Sequence, residues 1–200
     1  MKITVILICL LASVTSLYTQ ISELWRKSYT QEITSAIRSY TTDNDGNFII
    51  GSAVSRSAPN FSDFLVIKFN PEGDTLWRRE YQSRDGFQDH LWDVHADNSG
   101  NVYVTGVSTD YNSETTLRTL KYSSTGALLW QRTDSIETKQ QNNGFTIEAH
   151  LAEGPDGNIY ICTNDLGFLH MIRYTPAGAK VWSKVTSIPQ GIAYMFVRGF

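Results

Sequence analysis

Cysteine is scarce: the 200 residues contain two, Cys9 and Cys162. Cys9 lies inside an apolar N-terminal run, so a chain that loses that run keeps one thiol. It then forms no internal disulfide and is held by packing alone. Excess positive charge is lacking too. Seventeen Lys and Arg against 20 Asp and Glu give a net charge of −3, which sets up no long-range attraction for phosphate backbones and argues against a nucleic-acid partner. The sole long apolar run, residues 3–12, is too short to span a bilayer, and no transmembrane segment is expected in the mature chain. The four histidines form no His-x-His or His-Glu-x-x-His pair, and there is no Gly-x-Ser-x-Gly elbow or phosphate-cradling glycine loop. No metal, no cofactor and no catalytic residue is therefore expected from local motifs. Asp43-x-Asp45-Gly46 resembles the start of a calcium loop, but Val54 stands where the twelfth-position glutamate belongs.

The first residues read as a secretory signal. Lys2 supplies the positive start, residues 3–12 the apolar stretch, and Val14-Thr15-Ser16 the small residues of a cleavage site. A signal over residues 1–19 implies a protein that is secreted or held at the cell surface, with the periplasm as a further possibility. A lipidated Cys9 is disfavoured by Ile8, which stands where a small residue should precede it.

What the rest of the chain has is a repeat. Gly46-Asn47 returns as Gly100-Asn101 and Gly157-Asn158, and the phrase Gly-x-x-x-Trp ends at Trp77, Trp130 and Trp182. A half copy ends the array on the N-terminal side with Leu24-Trp25-Arg26-Lys27. The four tryptophans are 52, 53 and 52 residues apart, and a period of about 50 with several short strands per unit is the mark of a propeller or solenoid. In the second unit, residues 92–96 and 101–106 read as strands A and B around a Gly-Asn turn, and residues 117–122 and 127–132 as strands C and D. Each unit is thus a four-stranded antiparallel meander, one blade of an all-β propeller. Blades are expected at about residues 35–81, 90–132 and 145–184, after a strand D at 24–29 and before a further blade at 193–200. The apolar trios Phe48/Val102/Ile159 and Ile49/Tyr103/Tyr160 fall on opposite strand faces, as sheets covered on both sides require. Lys68, Lys121 and Arg173, flanked by apolar residues, are expected to snorkel to solvent. Lys27, Arg79, Arg132 and Lys184 are expected to protect an outer edge. Trp25, Trp77, Trp130 and Trp182 are expected to pack between blades, and Cys162 to be a small half-buried strand residue.

The stretch Asp97-Asn98-Ser99-Gly100-Asn101-Val102-Tyr103-Val104-Thr105-Gly106, followed by Lys121-Tyr122, Gly126 and Trp130, resembles the bacterial SBBP-type β-propeller repeat family. The resemblance covers about residues 24–200 and implies an exported or surface protein of Gram-negative bacteria with no common catalytic residue. Roughly three and a half units are present, whereas closed propellers have about four to eight blades. The reading is an incomplete ring, closed by the rest of the same polypeptide beyond residue 200.

In a propeller the B–C loops and D–A connections share one face, and loops on a rigid scaffold are where binding residues concentrate. The candidate loops are residues 52–62, 82–89, 109–113, 134–144 and 164–167, and the ligand-binding candidates within or beside them are Arg56, Phe61, Arg84, Phe87, His90, Tyr111 and Asp134. The expected function is a non-catalytic binding or scaffold module for a protein or glycan ligand. The alternative is a propeller enzyme, a quinone-cofactor dehydrogenase or a polysaccharide-degrading enzyme, whose site is completed by further sequence. Expression in a Gram-negative host should yield an exported chain that begins at Leu17 or Gln20 by mass spectrometry. A cytoplasmic product with residues 1–19 intact would overturn the export reading.

Overall fold

The computed structural model describes residues 37–55, 62–83, 86–110, 114–136, 147–165 and 168–187. Among them the protein is all-β, with twelve strands and no helix. β1 (Ser39–Thr42), β2 (Phe48–Ser55), β3 (Ser62–Phe69) and β4 (Thr75–Tyr81) form one antiparallel meander. A second comprises β5 (Gly86–Ala96), β6 (Val102–Asp110), β7 (Thr115–Tyr122) and β8 (Leu128–Ser135). The third comprises β9 (Ala149–Glu153), β10 (Ile159–Asp165), β11 (Phe168–Tyr174) and β12 (Lys180–Ser187). One parallel bridge, Ser62 to Gln88, joins the first two into an eight-stranded sheet, and the third is a separate four-stranded sheet.

The hairpin turns follow from glycine placement. Asp43 N–H donates to Asn47 O and Gly46 N–H back to Asp43 O, both at 3.1 Å. Three residues therefore separate the closing pair, one more than a two-residue connection, and the last of them is a glycine at φ 77°. This is the geometry of a type I turn followed by a left-handed residue. Asp43 Oδ1 also accepts the N–H groups of Asp45 and Asn47 at 3.0 and 2.9 Å, and Asp97 does the same for Ser99 and Asn101.

The strands run further than their apolar pattern indicates. β5 begins six residues before residue 92, and β6 continues to Asp110. Polar residues are carried into the ladder because β5 absorbs two irregularities, between Gly86 and Gln88 and between Leu91 and Asp93, while staying paired with β6. Residues 52–55, 86–89, 109–110, 134–135 and 164–165, expected in loops, accordingly lie in strands.

Alternation on the strands makes both faces apolar. Ile49, Phe64, Val66 and Trp77 of the first meander meet Leu91, Val94, Val102, Val104, Leu120 and Tyr122 of the second. The other face of the second meander, with Tyr103, Val107 and Leu117, meets Ala149, Ile159, Ile161, Ile172 and Tyr174 of the third. Ile50, Val54, Leu65, Ile67 and Phe69 form a third buried cluster on the opposite face of the first meander.

A repeated polar clasp fixes each junction. Trp77 Nε1 donates to Ser124 O at 2.9 Å and Arg79 Nε to Gly126 O at 2.6 Å. One unit on, Trp130 Nε1 donates to Pro176 O at 3.1 Å and Arg132 Nε to Gly178 O at 2.6 Å. A tyrosine lies beneath each indole, Tyr122 at 6.0 Å from Trp77 and Tyr174 at 6.0 Å from Trp130. Arg79 and Arg132 are thus inter-unit donors, beyond the edge-protecting role expected of them. Lys68 and Lys121 do not snorkel. Both are buried. Lys68 Nζ pairs with Asp43 Oδ2 at 2.6 Å and donates to Gly100 O at 3.2 Å, while Lys121 Nζ pairs with Asp97 at 3.3 Å and donates to Pro176 O at 3.2 Å. A dry ammonium needs such partners, and the facing turns supply them.

Trp182 repeats the sequence phrase and meets Tyr160 of its own meander edge-on at 6.1 Å, but the described residues hold no fourth turn for it, and β12 is exposed along its length apart from this half-buried residue. Trp77→Ala should therefore cost about 3–5 kcal/mol, as deletion of a buried aromatic does, whereas Trp182→Ala should stay within about 1 kcal/mol. Urea unfolding midpoints of the two variants check this; equal losses would refute the clasp as the source of the difference.

Candidate functional site

Of the residues expected to bind ligand, Arg56, Phe61, Arg84 and Tyr111 lie outside the described residues, as does Trp25 of the repeat set. Phe87 lies in β5 beside its first irregularity. His90 is in the same strand, half-buried, with Nε2 3.5 Å from Gln88 Oε1. Asp134 is not a loop residue. It is buried near the end of β8, accepts a hydrogen bond from the Tyr174 hydroxyl and pairs with Lys180 across the junction to the third meander. Burial, this hydrogen bond and the carboxylate charge together push the Tyr174 hydroxyl far up, so Tyr174 stays a donor and Asp134 serves the junction. Gly46, Gly100 and Gly157 sit at the expected turns at φ 77°, 73° and 72°.

The structure gathers a polar strip that the motifs did not reveal. The first strands of the three meanders, β1, β5 and β9, pack beside one another. Ser39, Asp93 and His150 occupy corresponding positions on them. Ser39 Oγ donates to Asp93 Oδ1 at 2.7 Å, and Asp93 Oδ2 accepts Leu151 N–H at 2.9 Å with His150 Nδ1 4.0 Å away. Glu148 faces His150 Nε2 at 3.8 Å, and His95 Nε2 lies 3.0 Å from Glu153 Oε2. Arg38 stacks over Trp92 at 5.1 Å beside them. Asp93 is committed to holding three strands together, whereas His95, Glu148, His150 and Glu153 remain partly exposed. Imidazoles that accept and donate, alternating with carboxylates that accept, suit a ligand rich in hydroxyl or amide groups. The sequence carried a positional signal for Ser39, Asp93 and His150 alone, each seven residues before the glycine of its Gly-Asn turn; His95, Glu148 and Glu153 share no such position.

Two conditions define what the strip could do chemically. Among the described residues no group of three or more His, Cys, Asp and Glu side chains is placed to hold a metal ion. Cys162, half-buried in β10, has its thiol pushed up by burial and is a poor nucleophile in this setting.

No family model matches the chain, and no curated protein matches it. Among solved structures, a protein of unknown function from Dyadobacter fermentans aligns at 14% identity and a TM-score of 0.48, over 70% of this chain. This chain spans 47% of the length of that neighbour.

Burial holds the His90 ring below its ordinary value, the Arg38 charge lowers it further, and Asp89 opposes both. For Asp43 and Asp97 burial pushes upward, but hydrogen bonds from Lys68 and Asn47, and from Asn101 and Lys121, outweigh it and hold both carboxyls below the usual range. All three folded values are lowered, so all three contribute stability above the unfolded value that is lost as pH falls through the folded one. Stability should decline in two stages, below about pH 6.5 for the histidine and below about pH 4 for the aspartates. His90→Gln should flatten the first stage alone; urea unfolding across pH 3–8 that shows an unaltered upper stage in this variant would refute the assignment.

Proposed function

We propose that the chain is part of an exported β-propeller of SBBP type, whose three meanders are consecutive blades of a ring completed by further sequence, and that it binds a protein or glycan ligand without chemistry of its own. Support for the blade reading comes from the junctions: each meander stacks face to face on the next through the same clasp, and β1, β5 and β9 lie side by side, as innermost strands of successive blades do.

The observation that carries the binding reading is the strip of His95, Glu148, His150 and Glu153. It runs along the first strands of the second and third meanders, and Glu148 and His150 lie near the end where the longer connections leave the sheet. Half-exposed hydrogen-bonding groups on rigid strands form a site that recognises shape and hydroxyl or amide patterns. The C–D turns at the other end are short, and those of the second and third meanders are already used in the clasps.

Binding by the exported protein to an array of bacterial surface glycans, with a parallel panel of outer-surface proteins, tests the reading. The combined variant Glu148→Gln/His150→Ala should weaken the ligand found at least about tenfold, the loss of a pair of polar contacts, and Glu72→Gln on a C–D turn should leave it unchanged. Dependence on Glu72 with indifference to the strip would place the site on the opposite face and overturn the assignment.

A further inference from the structure

β12 is the end strand of its sheet and pairs with β11 alone, so the backbone groups along its other edge meet no strand among the described residues. The equivalent strands β4 and β8 also pair on one side only, but they are blunted. Three residues after its tryptophan β4 carries Glu80, in an ion pair with Arg78, and β8 carries Thr133, which accepts a hydrogen bond from Arg118. β12 carries Val185 at that position, 59% exposed. It lies in the run Ser183-Lys184-Val185-Thr186-Ser187, where Lys184 is the one charged residue and sits over the Trp182 ring at 5.5 Å. An exposed edge of small and β-branched residues is a template for a further strand.

We propose that this edge pairs antiparallel with the same edge of a second copy of the chain, across a two-fold axis at Val185. A two-fold axis normal to a sheet generates an antiparallel neighbour, and each residue then faces the one equally far beyond the axis on the same side of the sheet. The axis must therefore pass at a residue. At Lys184 it would set two ammonium groups directly opposite each other, which is destabilising. At Ser183 or Trp182 the pairing would run into the irregularity that leaves Val181 without a partner on β11, and a bulge of this kind turns an edge away. At Thr186 each valine would face Ser187. At Val185 the regular residues 183–187 are all used: the two valines meet at the axis, Lys184 faces Thr186, and Ser183 faces Ser187. Apolar side chains then contact each other and no like charges are opposed, so the strand is complementary to itself. Every copy brings the matching edge with it, and two four-stranded sheets become one of eight strands. The interface uses the rim of the array, so it holds whether or not the strip on β5 and β9 binds a ligand.

Sedimentation velocity of the purified chain over a concentration series, with disulfide trapping, tests this. A reversible dimer is expected, because a single strand pair falls short of the roughly 1,200 Å² buried in a stable complex. Val185→Glu, which gives β12 the acid that β4 carries, should weaken the dimer about tenfold or more by setting two carboxylates opposite each other. Under mild oxidation Val185→Cys should form a 185–185 disulfide, located by peptide mass spectrometry, since opposite Cα atoms about 4.5–5.5 Å apart are within reach of one. Lys184→Cys, two residues out of register with its own copy, should not. Both positions are exposed, so neither change touches the core. A chain that is monomeric at every concentration overturns the proposal and leaves the edge to a strand of another protein. So does a dimer indifferent to Val185→Glu, or one trapped through Lys184→Cys in preference to Val185→Cys.

Discussion

The clasp between an outer-strand indole and the glycine turn of the next meander is the interaction on which the array depends. A hairpin turn exposes carbonyls that its own ladder does not use. At each junction two of them accept from an indole N–H and a guanidinium, as Ser124 and Gly126 do from Trp77 and Arg79. The guanidinium bond, with its charged donor, is worth more than the neutral indole bond beside it. The glycine is required twice over. Its positive φ closes the turn, and a Cβ there would stand 2.9 Å from the Trp77 ring at Gly126 and 2.8 Å from the Trp130 ring at Gly178. Each unit therefore stabilises its neighbour and nothing more distant, which is the energetic form of a repeat protein.

Buried ion pairs sharpen the fit. Lys68, on the β3 face that packs on the second meander, meets Asp43 and the Gly100 carbonyl and so ties the first hairpin of one meander to that of the next. Removing either partner would strand a charge in a dry interface, so the pair specifies the junction more than it strengthens it. The third meander departs from the rule. Gly154 occupies the position of Asp43 and Asp97, and Arg173 pairs with Asp156 in the turn, where the carboxyl is held low first by hydrogen bonds from Asn158. A more exposed pair there matches a face that the described residues leave open.

The inner side of the array is built differently. Gly51 lies where a Cβ would meet Leu91 at 2.5 Å, and Gly106 where one would meet the His90 carbonyl at 2.2 Å. Small residues on the second strands thus let the first strand of the second meander sit close, drawing β1, β5 and β9 together and lining up Ser39, Asp93 and His150. The clasps on the last strands and the polar strip on the first ones occupy separate positions of one repeat.

The period, the strand count per unit and the apolar faces could be read from the residues, because alternation and turn glycines are local properties. The roles of Trp77 and Trp130 followed from the same repeat. The fate of the cations did not: Lys68 between Ile67 and Phe69 looks the same in sequence whether its ammonium reaches water or Asp43, and Asp134 looks like a loop acid until Tyr174 and Lys180 close on it. The strip of His95, Glu148, His150 and Glu153 was hidden for a similar reason, since its members come from strands more than 50 residues apart and follow no local spacing. Sequence by itself determined the unit, through periodicity and glycine. Only the stacking of one unit on another decided which polar groups are consumed at the junctions and which stay partly exposed, because burial and pairing of charge are properties of neighbours in space.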